Sequence, residues 1–418
     1  MPRLLFLTCH LPYPLISGGR RREYELISRL SRRHEMHLVA VTKTLGEDLE
    51  NSIVFDDLCA SVTLLPAECT DDLSQPLQVR RHGCEKAKAT VERIIGERAI
   101  DLVHVEAFYM LQHLSQTDVP VFLQEQNIEY LLWKQRAQNA RAIEEKTENL
   151  WEYLRTLQAE KRAWHVADMC GAITMDDLET MALDLRPETI RLVPDGFDHL
   201  AAGSIATMRR RHRGTPVAVF VANFAYQPNV DAALNLMERI WPRVVHAVPD
   251  ARLLLVGNAP PGEVKRTALR FPSIRVTGRV RDVRTYMQDA DVVVCPLRVG
   301  GGIKVKVLEA LSLGKAVVTT SVGAQGIPAP EEAMRIVDDP GGFARATIEV
   351  MRNPSSRARL ERQALAKARQ LPSWDEAAAL LETAYESLLA AGTRRNVPSP
   401  PPGLSQSRLT DADVSRTA

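Results

Sequence analysis

The sequence predicts two doubly wound, parallel α/β domains facing a central cleft. Three observations lead there. Short apolar runs alternate with amphipathic stretches, as parallel strands covered by helices on both faces do. The alternation occurs twice, with a polar, arginine-rich segment at 201–214 between the two runs. The chain's 418 residues also exceed what one ordinary core accommodates.

Taken in order, residues 4–8 form an apolar run typical of a buried parallel strand. Pro12 and Pro14 end it, and Gly18-Gly19 opens a helix over 20–33 whose core face is Leu26, Ile27 and Leu30. The other side of that helix carries Arg20, Arg21, Arg22, Arg29, Arg32 and Arg33. Such a face suits a phosphorylated acceptor or anionic lipid headgroups, and a solvated surface is the ordinary alternative. Arginines bordering Gly18-Gly19 stand apart, because they flank a strand-end loop. Residues 36–41, 62–65, 102–105, 119–123, 169–174 and 190–193 read as further strands, with helices near 49–58 and 85–97. A long helix over 144–165 places Leu150, Leu154 and Leu157 on one stripe. In the second run the strands are 217–221, 253–256, 274–276, 292–295 and 316–319. The expected division is 1–200 for the first domain, 201–214 for a linker and 215–374 for the second domain. A terminal helix at 375–391 crosses back, and 392–418 is a proline-rich, polar tail expected to be disordered.

Composition is that of a soluble globular protein, with 45% hydrophobic and 25% charged residues. A net charge of +1 argues against a generally basic nucleic-acid binder. Six cysteines without CxxC spacing fit reduced thiols in the cytoplasm better than disulfides or zinc. No apolar run approaches the length of a membrane span, and the N-terminal PRLLFLTCHLPYP reads as a first strand instead of a signal peptide.

The stretch ADVVVCPLRVGGGIKVKVLEALSLGKAVVTTSVGAQGI, residues 290–327, organises the rest. A buried strand runs into Gly300, Gly301 and Gly302, then an amphipathic helix, then a second buried strand. Glycines after a strand let a ligand approach the backbone, and the helix start offers free N–H groups and partial positive charge. Lys304 and Lys306 make an anion such as phosphate the natural occupant. Lys306 and Glu309, three residues apart, share one helix face. The ammonium suits phosphate, and the carboxylate suits sugar hydroxyls.

These pieces, in this order and spacing, resemble the GT-B glycosyltransferases of the retaining group 1 type, often called family 4. VFVANFAYQPNVDAALNL, LLLVGNAP, VTGRVRDVRTYMQDADVVVCPL and GGGIKVKVLEALSLGKAVVTT carry most of the resemblance. VPDGFD stands where the family usually has a VPNGVD-like hinge, and PSWDEAAALLETAYESLL resembles its terminal helix. The resemblance implies two Rossmann-like domains, with a nucleotide-diphosphate sugar held mainly by the second and an acceptor mainly by the first. It implies that Glu309 binds the donor ribose. Gly300, Gly301, Gly302 and Ile303 offer backbone to phosphate or sugar, and Lys306, with Lys304, neutralises the departing diphosphate. Arg279 is a second candidate for that neutralising role, and Val280 borders the nucleobase. Gly18 and Gly19 close over the diphosphate from the first domain.

Three departures from the family pattern are visible. Many members have a second glutamate eight residues before Glu309, where this chain has Gly301. Gln126 stands where many have a histidine after the fifth strand, and a glutamine orients a hydroxyl without acting as a base. The first loop of the second domain, NFAYQPN, lacks the usual basic residue, which the glycine-loop lysines replace. His10, just after the first strand, is a minor cleft candidate. No metal site and no cofactor are expected. The glycine-lysine variant resembles a branch of exopolysaccharide and cell-surface glycan assembly. The expected activity is retaining sugar transfer of the hexosyltransferase type from a nucleotide-diphosphate sugar to a glycan or lipid-linked acceptor. The expected location is cytoplasmic, with peripheral contact to anionic membrane through the 20–33 helix. The alternatives are a nucleotide-sugar-binding partner or regulator without transfer, or an epimerase or phosphorylase on the same fold.

Overall fold

The computed structural model describes residues 1–140, 142–196 and 214–391. Two wholly parallel sheets carry the fold, so it is α/β with two Rossmann-like units, as the alternation of the sequence implies. The first sheet comprises β1 (Arg3–Thr8), β2 (Glu35–Thr42), β3 (Ser61–Pro66), β4 (Leu102–Glu106), β5 (Val121–Gln124), β6 (Met169–Ala172) and β7 (Ile190–Leu192). Its order is β3-β2-β1-β4-β5-β6-β7. The second comprises β8 (Val217–Val221), β9 (Arg252–Val256), β10 (Ile274–Gly278), β11 (Val292–Cys295), β12 (Val317–Thr319) and β13 (Arg335–Ile336), ordered β10-β9-β8-β11-β12-β13. Central strands such as β1, β4, β8 and β11 are buried along nearly their whole length. That is why their sequences are continuous apolar runs without alternation. In both sheets the first strand of the unit lies inside, flanked by its second and fourth. Loops leaving the carboxyl ends of those central strands therefore converge on one crevice.

Three segments differ from the sequence reading. The first helix spans Gly18–Leu30, so Arg32 and Arg33 lie beyond it. The 49–58 region is a helix Leu45–Asn51 followed by a 3-10 turn Ser52–Phe55. In the long helix Ile143–Val166 the leucine stripe is not the buried one. Leu150 and Leu154 are 43% and 48% exposed, while Asn149, Glu152, Thr156, Glu160 and Ala163 face inward. The inward face is polar because it caps and braces its neighbour. Glu160 accepts from the N–H groups of Glu129 and Tyr130 at 2.8 and 2.9 Å, at the buried start of helix Glu129–Asn139, which its own N-cap residue leaves unsatisfied. The expected linker lies outside the described residues except Gly214, and the 392–418 tail lies wholly outside them.

The terminal helix Trp374–Ala391 packs on the first unit, burying Trp374, Leu381, Tyr385 and Leu388 in one core with Leu26, Ile27 and Leu30. The arginine face of the first helix is mostly spent inside the protein. Arg22 is 1% exposed and donates to Asp195 and to the Val193 carbonyl, both at 2.8 Å. Arg29 pairs with Glu25 and Asp375, and Arg33 with Glu382. Arg20 lies 3.6 Å from Asp48 and donates to the Tyr13 carbonyl. A continuous basic face for lipid is thus not what this helix presents: the ion pairs hold it to the hinge and to the terminal helix. Among the described residues, no helix is long and apolar enough to cross a membrane.

Candidate active site

The loop after β11 and the helix Val305–Ser312 form the second unit's side of the crevice. No side chain caps that helix, so the positive end of its dipole lies uncapped at the glycine loop, while the Val307 N–H donates to the Lys304 carbonyl at 2.7 Å. Gly302 has φ +59°, and a Cβ there would sit 2.8 Å from the Gln126 carbonyl oxygen of the first unit. Only glycine meets both conditions without strain. The opposing glycine loop comes equally close, since a Cβ on Gly18 would lie 3.1 Å from Val305 Cγ2. Gly19 abuts the Gln126 side chain, Gly301 abuts Asn127 and Leu132, and the Gly300 amide donates to Gln135 Oε1 at 3.0 Å. Ile303 packs against the second core and against Gly326. Gly18, Gly19, Gln126, Gly300, Gly301, Gly302, Ile303, Lys304, Lys306 and Glu309 therefore gather at one interdomain contact.

The two lysines play different parts. Lys306 Nζ donates to Asn229 Oδ1 at 2.7 Å and stands 5.0 Å from the centre of the Phe220 ring. Both contacts aim the ammonium at the end of β8, and the second is a cation–π interaction. Burial lowers the Lys306 pKa, and the nearby Cys295 and Glu309 oppose that shift. Lys304 turns back on its own loop. It donates to the Gly301 and Gly302 carbonyls at 2.8 and 2.5 Å, and burial brings it down to about 8. It braces the glycine loop from beneath. Asn229, which holds Lys306, is the last residue of the NFAYQPN loop, so the lysine reaches the loop that lacks a basic residue of its own.

Glu309 accepts from Arg21 at 2.8 Å, a contact spanning the two units. Burial raises the Glu309 pKa, and Arg21 and Arg284 pull it back. Arg279 is exposed on the loop after β10, and Val280 packs against the core. From the same loop region Asp282 and Arg284 come near enough to Glu309 to shape its charge.

On the first unit's side, the carboxyl ends of β1, β4 and β5 carry a hydrogen-bonded chain. Tyr385 Oη lies 2.6 Å from His104 Nδ1, and His104 Nε2 lies 2.9 Å from Glu106 Oε1. Gln126 Nε2 then donates to both Glu106 Oε2 and Glu23 Oε1, each at 2.9 Å. Thr8 donates to Glu23 Oε2 at 2.6 Å, and His10 Nε2 stands 3.0 Å from Glu23 Oε1. Burial works to lower His10, but Glu23 and Cys9 together raise it well above its ordinary value. Gln126 bridges two buried carboxylates by donation, which a neutral histidine with one N–H does not do. Its residue type thus has a local physical reason. Sequence reasoning missed Glu23, His104, Glu106, Asn229 and the Arg21–Glu309 pair. The arginines flanking Gly18-Gly19 were the only signal for the last, because its partners are 288 positions apart. Among the described residues, no group of three His, Cys, Asp or Glu side chains is placed to hold a metal ion.

Residues 215–353 match the family Glycosyl transferases group 1. A phosphatidyl-myo-inositol mannosyltransferase of Mycolicibacterium smegmatis is 28% identical over 211 residues, covering 49% of this chain and 54% of that protein. The chain thus matches about half the length of that curated relative. Among solved structures, sucrose-phosphate synthase from Thermosynechococcus elongatus superimposes with a TM-score of 0.70 at 17% identity, over 94% of this chain and 100% of that one. Anabaena Alr3699/HepE, in complex with UDP and glucose, gives 0.65 at 14% identity over 93% and 100%. At these identities the superpositions establish the fold. The chain has the GT-B fold of two facing Rossmann-like units, and its residues 215–353 match the group 1 glycosyltransferase family.

Proposed function

We propose that this protein transfers a sugar, with retention, from a nucleotide-diphosphate sugar to a glycan or lipid-linked acceptor. The observation that carries the reading is the pairing of Lys306 and Glu309 on one face of the 305–312 helix, opposite Gly18 and Gly19. In the reaction the bond from the sugar's anomeric carbon to the diphosphate oxygen breaks, and a bond from that carbon to an acceptor hydroxyl forms. The hydroxyl proton leaves to a phosphate oxygen. Lys306 and the uncapped helix start then stabilise charge that develops on the diphosphate. Glu309 binds the ribose hydroxyls once Arg21 releases it, and the Arg21 guanidinium turns to the diphosphate. The glycine loops touch in this structure, so donor entry parts them.

The reading places the protein in the cytoplasm. Peripheral contact with anionic lipid then falls to the exposed Arg32 and Arg33, not to the whole 20–33 stretch. Measuring nucleoside-diphosphate release over a donor panel, with wild type and Lys306→Ala, tests the proposal. Unchanged turnover in the variant would remove Lys306 from the mechanism. Gln126, held between Glu23 and Glu106, favours a second reading, a nucleotide-sugar-binding regulator. Donor binding without release of diphosphate across acceptors would mark it. Product formed without any acceptor, or only with free phosphate, would point to an epimerase or a phosphorylase.

A further inference from the structure

Beyond the carboxyl end of β2 the first unit holds a second group of polar side chains, outside the machinery described so far. Lys43, the residue after β2, places Nζ 2.8 Å from His82 Nε2. The ring's other nitrogen, Nδ1, donates to the Gln78 carbonyl at 2.8 Å, so Nε2 is the acceptor and Lys43 the donor. His82 is itself fixed, stacked on Tyr109 with ring centres 4.6 Å apart, while its own carbonyl accepts from His113 at 2.7 Å. Burial, with Lys43 beside it, lowers the His82 pKa to about 4, so the ring is neutral. The ammonium is thus anchored by a neutral group, while its own pKa is lowered, first by burial and then by Arg81.

What surrounds that charge decides the reading. The groups near enough to influence Lys43 are Cys9, Arg81 and Cys69, and among the described residues no carboxylate pairs with it. A surface lysine ordinarily moves freely in water or meets an acid. This one is exposed yet oriented by His82, with the guanidinium of Arg81 near enough to act on it, an arrangement that an anion completes. The position matters too. Tyr109 Oη reaches Cys9 Sγ at 3.5 Å, and Cys9 Sγ lies 3.2 Å from His10 Nδ1. His10 leads through Glu23 to Gln126 and Gly19. The cations therefore stand at the far end of a continuous row of strand-end side chains that begins at the glycine loops.

We propose that Lys43, positioned by His82 and assisted by Arg81, holds a phosphate or diphosphate group of the acceptor. The proposal rests on the transferase reading above and specifies its acceptor class as phosphate-bearing. The phosphate of a lipid carrier and that of a soluble sugar phosphate share this chemistry.

The test saturates the full chain with UDP or GDP, whichever binds, and titrates it calorimetrically with inorganic pyrophosphate and with geranyl diphosphate. Both diphosphates are expected to bind, and Lys43→Ala to weaken each about tenfold or more, as loss of a charge-assisted bond does. His82→Phe keeps the stack on Tyr109 but removes the nitrogen that holds Lys43, and gives a smaller loss. Tighter binding of geranyl diphosphate identifies a lipid carrier as the source, and equal binding a soluble phosphate. Absence of heat from either probe, or equal affinities in wild type and Lys43→Ala, would overturn the proposal. If no nucleoside diphosphate of the donor panel binds, the transferase reading fails, and the pyrophosphate comparison on the nucleotide-free chain still decides the anion site.

Discussion

The two sides of the crevice are built in opposite ways. On the second unit's side, one stretch of chain supplies the glycine loop, both lysines and Glu309, and Asn229 holds one of those lysines. On the first unit's side, Thr8, His10, Glu23, His104, Glu106 and Gln126 come from separate segments, and Tyr385 arrives from the far end of the chain. The first arrangement presents charge and backbone toward the crevice. The second neutralises charge inside the protein. Substitutions on the second unit's side should therefore cost turnover or donor affinity, and those in the first unit's constellation should cost stability.

The largest stability effect is expected at Arg22, where Arg22→Ala leaves Asp195 buried without its partner. Urea unfolding should show a loss of about 3–5 kcal/mol. The double change Arg22→Met with Asp195→Leu should recover much of it, and a loss below about 1 kcal/mol for the single change would break the contrast. Next, Lys306→Ala should reduce nucleoside-diphosphate release about a hundredfold, the scale seen when one preorganised charge-stabilising donor is removed. Glu309→Gln should weaken donor binding about tenfold by calorimetry, because an amide accepts less strongly from two hydroxyls than a carboxylate does.

A pH-dependent effect follows from His10. Its pKa is raised above the ordinary 6.5 in the folded protein. The His10–Glu23 pair therefore stabilises fully below the unfolded value, and that stability is lost as pH rises through the folded value. Urea midpoints of wild type and His10→Gln, followed from about pH 6 to about pH 9, should converge as pH rises. Parallel curves would show that His10 does not titrate with folding. The smallest effect belongs to Arg33→Ala. It removes a pair whose arginine is 73% exposed and should change stability by less than about 1 kcal/mol.

The same contrast explains what could be read beforehand. Strands such as 4–8, 217–221 and 292–295 were legible because burial on both faces writes them as apolar runs. The glycine loop and the Lys306–Glu309 spacing were legible because their geometry is local to one loop and one helix turn. The long helix misled for a physical reason: it buries Asn149, Glu152 and Glu160 and leaves Leu150 and Leu154 outside, against the usual ordering of residue types. Arg21 with Glu309, and Gln126 between Glu23 and Glu106, carry no local trace, because only the tertiary fold brings their partners together. From its charge and position Lys304 reads as a partner of Lys306 in neutralising the diphosphate. The structure shows it folded onto the carbonyls of Gly301 and Gly302, a loop-bracing geometry that residue type alone does not reveal.

The central claim is that a nucleoside diphosphate docks at the glycine loop and the start of the 305–312 helix, and takes Glu309 from Arg21. A crystal structure of the full chain with bound UDP or GDP tests it most directly. The account predicts phosphate oxygens within hydrogen-bond distance of Lys306 Nζ and the Ile303 amide, with the Glu309 carboxylate on the ribose. A nucleotide seated elsewhere, with the Arg21–Glu309 pair intact at its present 2.8 Å, would contradict it.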